Sequence, residues 1–417
     1  AGGAGMHAGK WFAVDTSVQA DASIEDSVEL AAQDWPILTR GGDGDHPMVR
    51  AYLEASAGII DWAQDLGAEF TLKEGGFEPA GTPRFHSLDG SARPTATLRE
   101  RLASHILLET PALALAMGSA GVDGVWIDDG WIQADAVVVA TGGFGRDRDR
   151  QLEYLPGLGA FEHATGAMPH MDGNGLDMMS AVGAAMVNMD APSIYTHDIM
   201  DPYLGSPEVL VVGFIDESLV VDGWGLRLMN EQEGQVVWGG AAWLERGPLY
   251  AIISQEQALE LRFKGLGYNY PGHDGFAVLD LAEEEGFARG ESRSELADAL
   301  GMAALEATLQ RYDELAIAGE DLDFGKDPQR LLELGEQLLA VPLVPAKGKS
   351  FGGAGLDIEG RVLDGNLQPI PGLYAAGEAA GVLGGVHVGW GFEGSISGIV
   401  FTGQLAGTSA ADYALSR

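Results

Sequence analysis

The chain contains 417 residues, which is more than a single hydrophobic core usually serves, so we expect two domains. Its formal net charge is -38, and so strong a negative field argues against nucleic acid and anionic membranes as partners. Cysteine is absent, which excludes disulfides, thiolate metal sites and a cysteine nucleophile. We interpret the charge as a solvated acidic surface; recruitment of a cationic partner is the alternative.

The sequence also bears on location. It has no apolar run of the about 18 residues that a membrane helix requires. The first ten residues have neither the basic start nor the apolar centre of a secretory signal, and they begin without methionine. We therefore expect a cytoplasmic protein without a membrane span, and no residue pattern predicts a metal site.

The first part of the chain predicts helices followed by strands. Ser23 is a candidate N-cap for the first helix, and the glycines at 41–44 together with Pro47 separate it from the second. In chain order, the predicted elements are two helices within 24–66, a helix over 96–108, a hairpin over 124–132 that turns at Asp129-Gly130, and a buried strand over 136–140.

The middle of the chain differs from both ends. Its predicted elements are a helix over 175–185 and acidic helices around 280–317 and 328–340. Pro342 and Pro345 then mark a boundary, after which the predicted elements are strands near 356–358, 361–363 and 372–376 and a closing helix over 395–414. This order predicts one domain interrupted by another, divided as 1–146, 147–345 and 346–417.

The strongest local motif is the apolar strand Val137-Val138-Val139-Ala140, which runs directly into Thr141-Gly142-Gly143. Small residues at the end of a buried strand allow a ligand to approach the backbone. Ligands of open α/β sheets bind beyond the carboxyl ends of such strands. A plain strand-to-turn transition is the alternative interpretation.

Two later segments have the same character. Gly372-Leu373-Tyr374-Ala375-Ala376-Gly377-Glu378 is a short strand that ends in a glycine and a carboxylate, which can accept hydrogen bonds from sugar hydroxyls. Gly394-Ser395-Ile396 is a glycine loop that opens a helix, and a helix N-terminus stabilises an electron-rich group. A surface turn and simple helix capping by Ser395 are the alternatives.

In this order, the three segments resemble the fumarate reductase/3-ketosteroid dehydrogenase superfamily of FAD enzymes. Gly352-Gly353, Asp172-Gly173-Asn174-Gly175 and Gly225-Leu226-Arg227 with Asn230-Glu231 also look like motifs of that family. The resemblance covers nearly the whole chain. It implies an α/β fold, in which a Rossmann-like FAD-binding domain is interrupted by an α+β capping domain.

The resemblance also implies FAD as the cofactor. The glycine-rich N-terminal stretch would pass the pyrophosphate and the flavin N5, and the loop at 141–143 would lie near the adenosine. Glu378 would hold sugar or ribityl hydroxyls, and Ser395 and Ile396 the pyrimidine edge of the flavin. The implied cofactor residues are Gly2, Gly3, Ala4, Gly5, Ala8, Gly9, Ala112, Ala140, Thr141, Gly142, Gly143, Gly377, Glu378, Ser395 and Ile396.

The sequence departs from the family pattern at both the cofactor and the substrate motifs. The family opens with a strand and Gly-x-Gly-x-x-Gly, and nothing here matches that unit, so we expect the N-terminal strand to be missing. The arginines and the histidine with which fumarate reductases bind a dicarboxylate are also absent from the matching motifs. The candidate catalytic residues are His387, Lys349 and Tyr195, with His86, His197, Tyr203 and Glu393 as weaker candidates.

These observations predict hydride transfer between flavin N5 and a C–C bond next to a carbonyl. The missing cations favour a small, uncharged substrate that is steroid-like or enone-like. One alternative is an enzyme acting on a small carboxylate through an unusual cation such as Lys349 or Arg227. A second is a non-catalytic remnant that does not bind FAD. The sequence does not identify the electron partner.

Overall fold

A computed structural model describes residues 10–39, 42–72, 81–89, 94–154, 164–165, 170–190, 192–200, 209–211, 214–232, 246–262, 264–265, 277–381 and 395–417. The helices in these ranges are α1 (Ser17–Asp21), α2 (Val28–Thr39), α3 (Pro47–Asp65), α4 (Pro94–Arg101), α5 (Arg148–Tyr154), α6 (Asn174–Ala181), α7 (Gln255–Glu260), α8 (Arg293–Leu300), α9 (Leu305–Ala318) and α10 (Ser395–Leu415). Single turns of 3-10 helix cover Ala103–His105, Ile215–Glu217, Val278–Leu281 and Gly377–Ala379.

The strands are β1 (Lys10–Phe12), β2 (Glu69–Leu72), β3 (Phe85–Asp89), β4 (Ala114–Gly118), β5 (Gly121–Ile127), β6 (Gly130–Gln133), β7 (Val137–Val139), β8 (Ala164–Thr165), β9 (Met186–Val187), β10 (Pro192–Met200), β11 (Val209–Val211), β12 (Leu219–Val221), β13 (Leu249–Ser254), β14 (Lys264–Gly265), β15 (Ala288–Gly290), β16 (Leu338–Ser350), β17 (Gly353–Ala354), β18 (Arg361–Leu363) and β19 (Pro369–Ala375). None of the helices in the described ranges is long and apolar enough to cross a membrane.

The chain divides into two compact units. The first contains Ala1–Asp147, Pro169–Pro192 and Lys349–Arg417, and the second contains Arg148–Met168 and Ser193–Gly348. The division predicted from the sequence assigned all of 147–345 to the insert, whereas the structure groups Pro169–Pro192 with the first unit. The physical reason is packing, because Leu176 and Met179 of α6 are buried in the same core as strands β7 and β19.

The first unit contains the sheet that is important for the site. Its strands follow the order β18-β19-β7, and β7 lies parallel to β19 with Leu373 opposite Val137 and Ala375 opposite Val139. Strands β4, β5 and β6 form an antiparallel sheet, in which β5 and β6 are the predicted hairpin. A third sheet has the order β1-β3-β2. Parallel pairing places the carboxyl ends of β7 and β19 at one edge.

An aromatic core joins the helices of the first unit. Phe12, Trp35, Tyr52 and Phe401 are buried together, so that α2, α3 and α10 pack on strand β1. Pro47 begins α3, where its missing N–H costs nothing.

The start of α2 and the end of α4 differ from the predicted helix ends. Ser23 does not cap α2, since its φ of 58° is left-handed and an N-cap residue is extended. The hydroxyl of Ser27 instead accepts a hydrogen bond from the Leu30 N–H at 3.1 Å, directly before the helix. The helix predicted over 96–108 is shorter than expected, because α4 ends at Arg101 and a single 3-10 turn follows it.

The second unit is built on a sheet with the order β12-β13-β16-β10-β11-β14. The helix predicted over 328–340 is wrong, because residues 328–337 form turns and irregular backbone and Leu338 begins the long strand β16. This strand passes through both prolines that were taken as a boundary. Leu339 and Val341 lie in one core of this unit, and Leu338 and Ala340 lie in another. Alternate residues thus face opposite cores, which is the period of a strand and not of a helix.

Candidate functional site

The turns that follow β7 and β19 lie side by side. The backbone N–H of Ala376 donates to the carbonyl oxygen of Val139 at 3.0 Å, which extends the parallel pairing into the turns. We call residues 140–144 and 376–379 the glycine edge. Open α/β sheets bind ligands in the crevice outside the carboxyl ends of their parallel strands.

Glycines determine the shape of the glycine edge. Gly142 has a φ of +88° and Gly377 has a φ of +65°, which are left-handed values that side chains disfavour. Gly143 is required for a different reason: a Cβ there would contact the hydroxyl of Ser350 and would lie 3.0 Å from Oε2 of Glu378. The turn after β7 is therefore packed closely against the carboxylate of the turn after β19.

Helix α10 is the third element of the site. The backbone N–H of Gly377 donates to the hydroxyl of Thr402 at 2.9 Å, and that hydroxyl donates to the carbonyl of Gly398 at 2.9 Å. The first turns of α10 thus adjoin the glycine edge. Ser395 begins this helix, and the side chain of Ile396 is 6% exposed and packs against the aromatic core.

The start of α6 adjoins the same edge. The backbone N–H of Gly173 donates to the carbonyl of Gly143 at 3.2 Å. A Cβ on Gly175 would contact the hydroxyl of Thr141, so this glycine allows the helix to approach the turn. The Asp172-Gly173-Asn174-Gly175 motif therefore packs on the first unit and borders the site.

These groups fit one half of a dinucleotide. The glycine edge combines backbone without side chains, where a ligand can approach closely, with hydroxyl groups and one carboxylate. A carboxylate such as Glu378 accepts hydrogen bonds from sugar hydroxyls. Of the predicted cofactor residues, the structure brings together Ala140, Thr141, Gly142, Gly143, Gly377 and Glu378.

Other predicted residues lie elsewhere or are not described. Ala112 lies on an exposed stretch just before β4, outside the glycine edge. Lys349 is the next-to-last residue of β16, at the end of the strand that belongs to the first unit. Tyr195 lies in β10 of the second unit. Predicted residues that fall outside the described ranges are Gly2, Gly3, Ala4, Gly5, Ala8, Gly9 and His387, together with the weaker candidates Tyr203 and Glu393.

His86 is part of the protein core. It is fully buried, and its Nε2 lies 2.8 Å from the hydroxyl of Thr16, while Nδ1 lies 3.0 Å from the carbonyl oxygen of Arg84. A neutral ring that donates from Nδ1 and accepts at Nε2 satisfies both contacts. Burial lowers the pKa of His86, which favours that neutral form. The Nδ1 of His86 in β3 also lies 3.2 Å from the carbonyl oxygen of Trp11 in β1, so the ring links the two strands inside the protein core.

Arg227 belongs to a charged cluster in the second unit. Its guanidinium forms paired hydrogen bonds with Glu231 at 3.0 Å and with Asp321 at 2.8–3.1 Å. The Nζ of Lys326 lies 3.2 Å from Glu231 and donates to the hydroxyl of Tyr312 at 2.9 Å. All four charged side chains are nearly or fully buried. The charges of the two cations and the two anions balance. The guanidinium of Arg227 is paired with carboxylates of the protein, so it is unsuited to bind a carboxylate substrate.

Sequence reasoning missed two residues of the site. Ser350 accepts a hydrogen bond from the N–H of Phe144, and Thr402 accepts one from the N–H of Gly377. Ser350 lies just before Gly352-Gly353, and Thr402 lies in the helix that Gly394-Ser395-Ile396 opens. A serine after lysine and a threonine inside a helix are common in all proteins, so neither was assigned a role. Their partners lie 206 and 25 residues away in the sequence, so only the folded chain identifies them.

Comparison with known proteins shows the family of the chain. A model of the family described as FAD binding domain matches residues 4–393. The fumarate reductase (cytochrome) of Shewanella frigidimarina is 28% identical over 439 residues, spanning 99% of this chain and 71% of that protein.

Solved structures share the fold. The 3-ketosteroid-Δ4-(5α)-dehydrogenase of Rhodococcus jostii has a TM-score of 0.74 at 23% identity, with 98% of this chain and 89% of that chain covered. The 3-ketosteroid Δ1-dehydrogenase of Sterolibacterium denitrificans has a TM-score of 0.76 at 18% identity, with 99% and 93% covered. At these identities the likeness concerns the fold alone.

Proposed function

Since this chain belongs to the family of FAD-binding domains, we propose that it is an FAD-dependent oxidoreductase acting on a C–C bond next to a carbonyl. When bound, FAD supplies the hydride chemistry at flavin N5. The protein contributes binding, orientation and one proton donor or acceptor. The family resemblance seen in the sequence and the fumarate reductase relative both support chemistry on a C=C bond.

The observation that carries the proposal is the convergence of the turns after β7 and β19. Thr141, Gly142 and Gly143 would hold the adenosine half of the cofactor, and Glu378 would accept hydrogen bonds from ribose or ribityl hydroxyls. The backbone at the start of α10 would face the pyrimidine edge of the flavin. These are the roles that the family resemblance implies, and the left-handed Gly142 and Gly377, whose Cβ positions have no atom closer than 3.7 Å, support them.

We further propose that the FAD-binding domain is interrupted by a capping domain that lies within 147–345. The division of the chain into two compact units supports this arrangement. His387, Lys349 and Tyr195 remain the proposed proton donors or acceptors. Replacing each in turn and measuring the pH dependence of turnover would identify the one whose loss removes a titration from the profile.

The substrate is proposed to be uncharged. Arg227, one of the two cations named for a carboxylate substrate, is neutralised by Glu231 and Asp321 inside the second unit, and Lys349 is the other candidate. The alternative is a small carboxylate, and the similarity to a fumarate reductase favours it. Assays with a ketosteroid and with fumarate, each followed by flavin absorbance, distinguish the two. Turnover of fumarate alone would refute the uncharged substrate.

FAD binding is the first experiment. Purified protein is mixed with FAD, freed of excess by gel filtration, and examined for flavin absorbance bands. We expect one FAD to remain bound per chain. Protein that stays colourless would support the alternative of a non-catalytic remnant. Reduction assays with candidate donors would identify the electron partner, and cell fractionation would test the proposed cytoplasmic location.

A further inference from the structure

A serine hydroxyl lies between the two turns of the glycine edge. Ser350 is 2% exposed, and its hydroxyl oxygen accepts a hydrogen bond from the Phe144 N–H at 3.0 Å. The same oxygen adjoins the position that a Cβ on Gly143 would occupy, and Oε2 of Glu378 lies 3.0 Å from that position. One side chain therefore contacts the turn after β7 beside the carboxylate of the turn after β19.

The backbone after Ser350 is fixed to the turn after β19. A Cβ on Gly353 would lie 2.6 Å from the carbonyl oxygen of Ala379, so the two segments are in close contact. The N–H of Gly381 donates to the carbonyl of Ala354 at 3.0 Å, which continues this contact. Ser350 is thus held relative to Glu378 by backbone packing and relative to Phe144 by its hydroxyl.

We propose that Ser350 is a positioning residue that sets the spacing between Gly143 and the carboxylate of Glu378, and thereby the affinity for FAD. The inference rests on the proposed function, because both turns are proposed to hold the cofactor. Without the hydroxyl, the buried N–H of Phe144 loses its acceptor and must turn toward water. The turn at 141–144 then moves away from Glu378, and the two turns of the glycine edge are no longer at the spacing that FAD requires.

The test compares Ser350→Ala with Ser56→Ala. Ser56 is an equivalent buried serine, whose hydroxyl accepts the N–H of Val14 at 3.0 Å within the same unit. Both variants lose a hydroxyl acceptor for a buried backbone N–H, so both lose stability. We expect FAD to bind Ser350→Ala about tenfold more weakly, as measured by quenching of flavin fluorescence, and Ser56→Ala with unchanged affinity.

Hydrogen exchange of the apoprotein gives a second readout that does not depend on FAD. We expect amide protection at 141–145 to fall in Ser350→Ala and to be retained in Ser56→Ala. Ser350→Cys, which keeps the size of the side chain but is a weak acceptor, serves if the alanine variant does not fold. Unchanged affinity or unchanged protection in a folded Ser350 variant overturns the inference. Failure of the unaltered protein to bind FAD overturns the proposed function instead, while the exchange measurement still tests Ser350.

Discussion

The glycine edge of the first unit and the charged cluster of the second unit both contain fragments of family motifs, yet they are built in opposite ways. The glycine edge contains two left-handed glycines, Gly142 and Gly377, and it is held by single hydroxyl groups. The charged cluster is filled by Arg227, Glu231, Asp321 and Lys326, which satisfy one another. Open backbone suits a ligand, whereas balanced buried charge suits a structural role.

The difference shows that a charged residue beside a family motif can have a structural role instead of a role in substrate binding. Arg227 lies beside a motif that resembles a family signature, and sequence alone left it as a candidate substrate cation. Its guanidinium carbon also lies 5.0 Å from the ring centres of Tyr312 and Phe324, which adds cation–π contacts to the ion pairs. Removal of Arg227 should therefore damage stability far more than binding.

The largest expected effect comes from Arg227→Ala. The change removes the cation that pairs with Asp321 and leaves two buried carboxylates with Lys326 as their one remaining cation in the cluster, so we expect the unfolding free energy to fall by about 3–5 kcal/mol. Urea unfolding followed by circular dichroism measures this loss. Arg311→Ala is the matched control, since Arg311 forms an exposed pair with Asp323, and it should change stability far less. A variant that keeps full stability but loses turnover would contradict the structural role of Arg227.

The next largest effect is expected for Gly143→Ala. The added methyl would collide with Ser350 and crowd Glu378, and such overpacking costs about 1–3 kcal/mol. If the strain is relieved by separating the turns, FAD affinity falls by about 10- to 100-fold. Gly58→Ala in α3 is the control, because nothing lies within 4 Å of its Cβ and helical alanine stabilises by about 0.5–1 kcal/mol. Equal FAD affinity in both variants would show that the glycine edge is not the binding site.

A smaller effect is expected for Gly377→Ala. The nearest atom to the new methyl would be Ile399 Cγ2 at 3.7 Å, so only the left-handed φ of +65° is penalised, by about 1–2 kcal/mol. Gly377→Asn should cost less, because asparagine adopts left-handed backbone more readily. Thermal unfolding of the two variants tests the order. An asparagine variant less stable than the alanine variant would mean that packing, not backbone strain, determines this position.

The smallest effect is a pH dependence of stability from His86. Burial lowers its pKa below the ordinary value of 6.5. As the pH falls below 6.5, the unfolded chain binds a proton that the folded chain does not, so the unfolding free energy falls by at most about 1.4 kcal/mol per pH unit. Above that pH the imidazole is neutral in both states and contributes no slope. Urea unfolding from pH 5 to 8 should show a steeper loss for the unaltered protein than for His86→Gln, and parallel curves would count against a lowered pKa.

Local sequence pattern determined much of the fold. Helices α2, α3 and α10, the hairpin of β5 and β6 and the strand β7 lie where apolar periodicity and turn residues predicted them. The local pattern wrongly predicted a helix where β16 begins, because a run of leucine, alanine and valine is compatible with either a helix or a strand. Burial of alternate residues in two cores selects the strand, and that burial depends on elements distant in the chain.

For the site, the residue sequence by itself determined where the backbone lacks side chains, because glycine is visible in any sequence. It pointed to 141–143 and to Gly377 with Glu378, and β7 and β19 bring these turns together. Only the tertiary structure decided the roles of Ser350, Thr402, His86 and Arg227. Each of these roles depends on partners that the fold brings within hydrogen-bonding distance. The sequence around a common polar residue does not identify the partner to which it will bond.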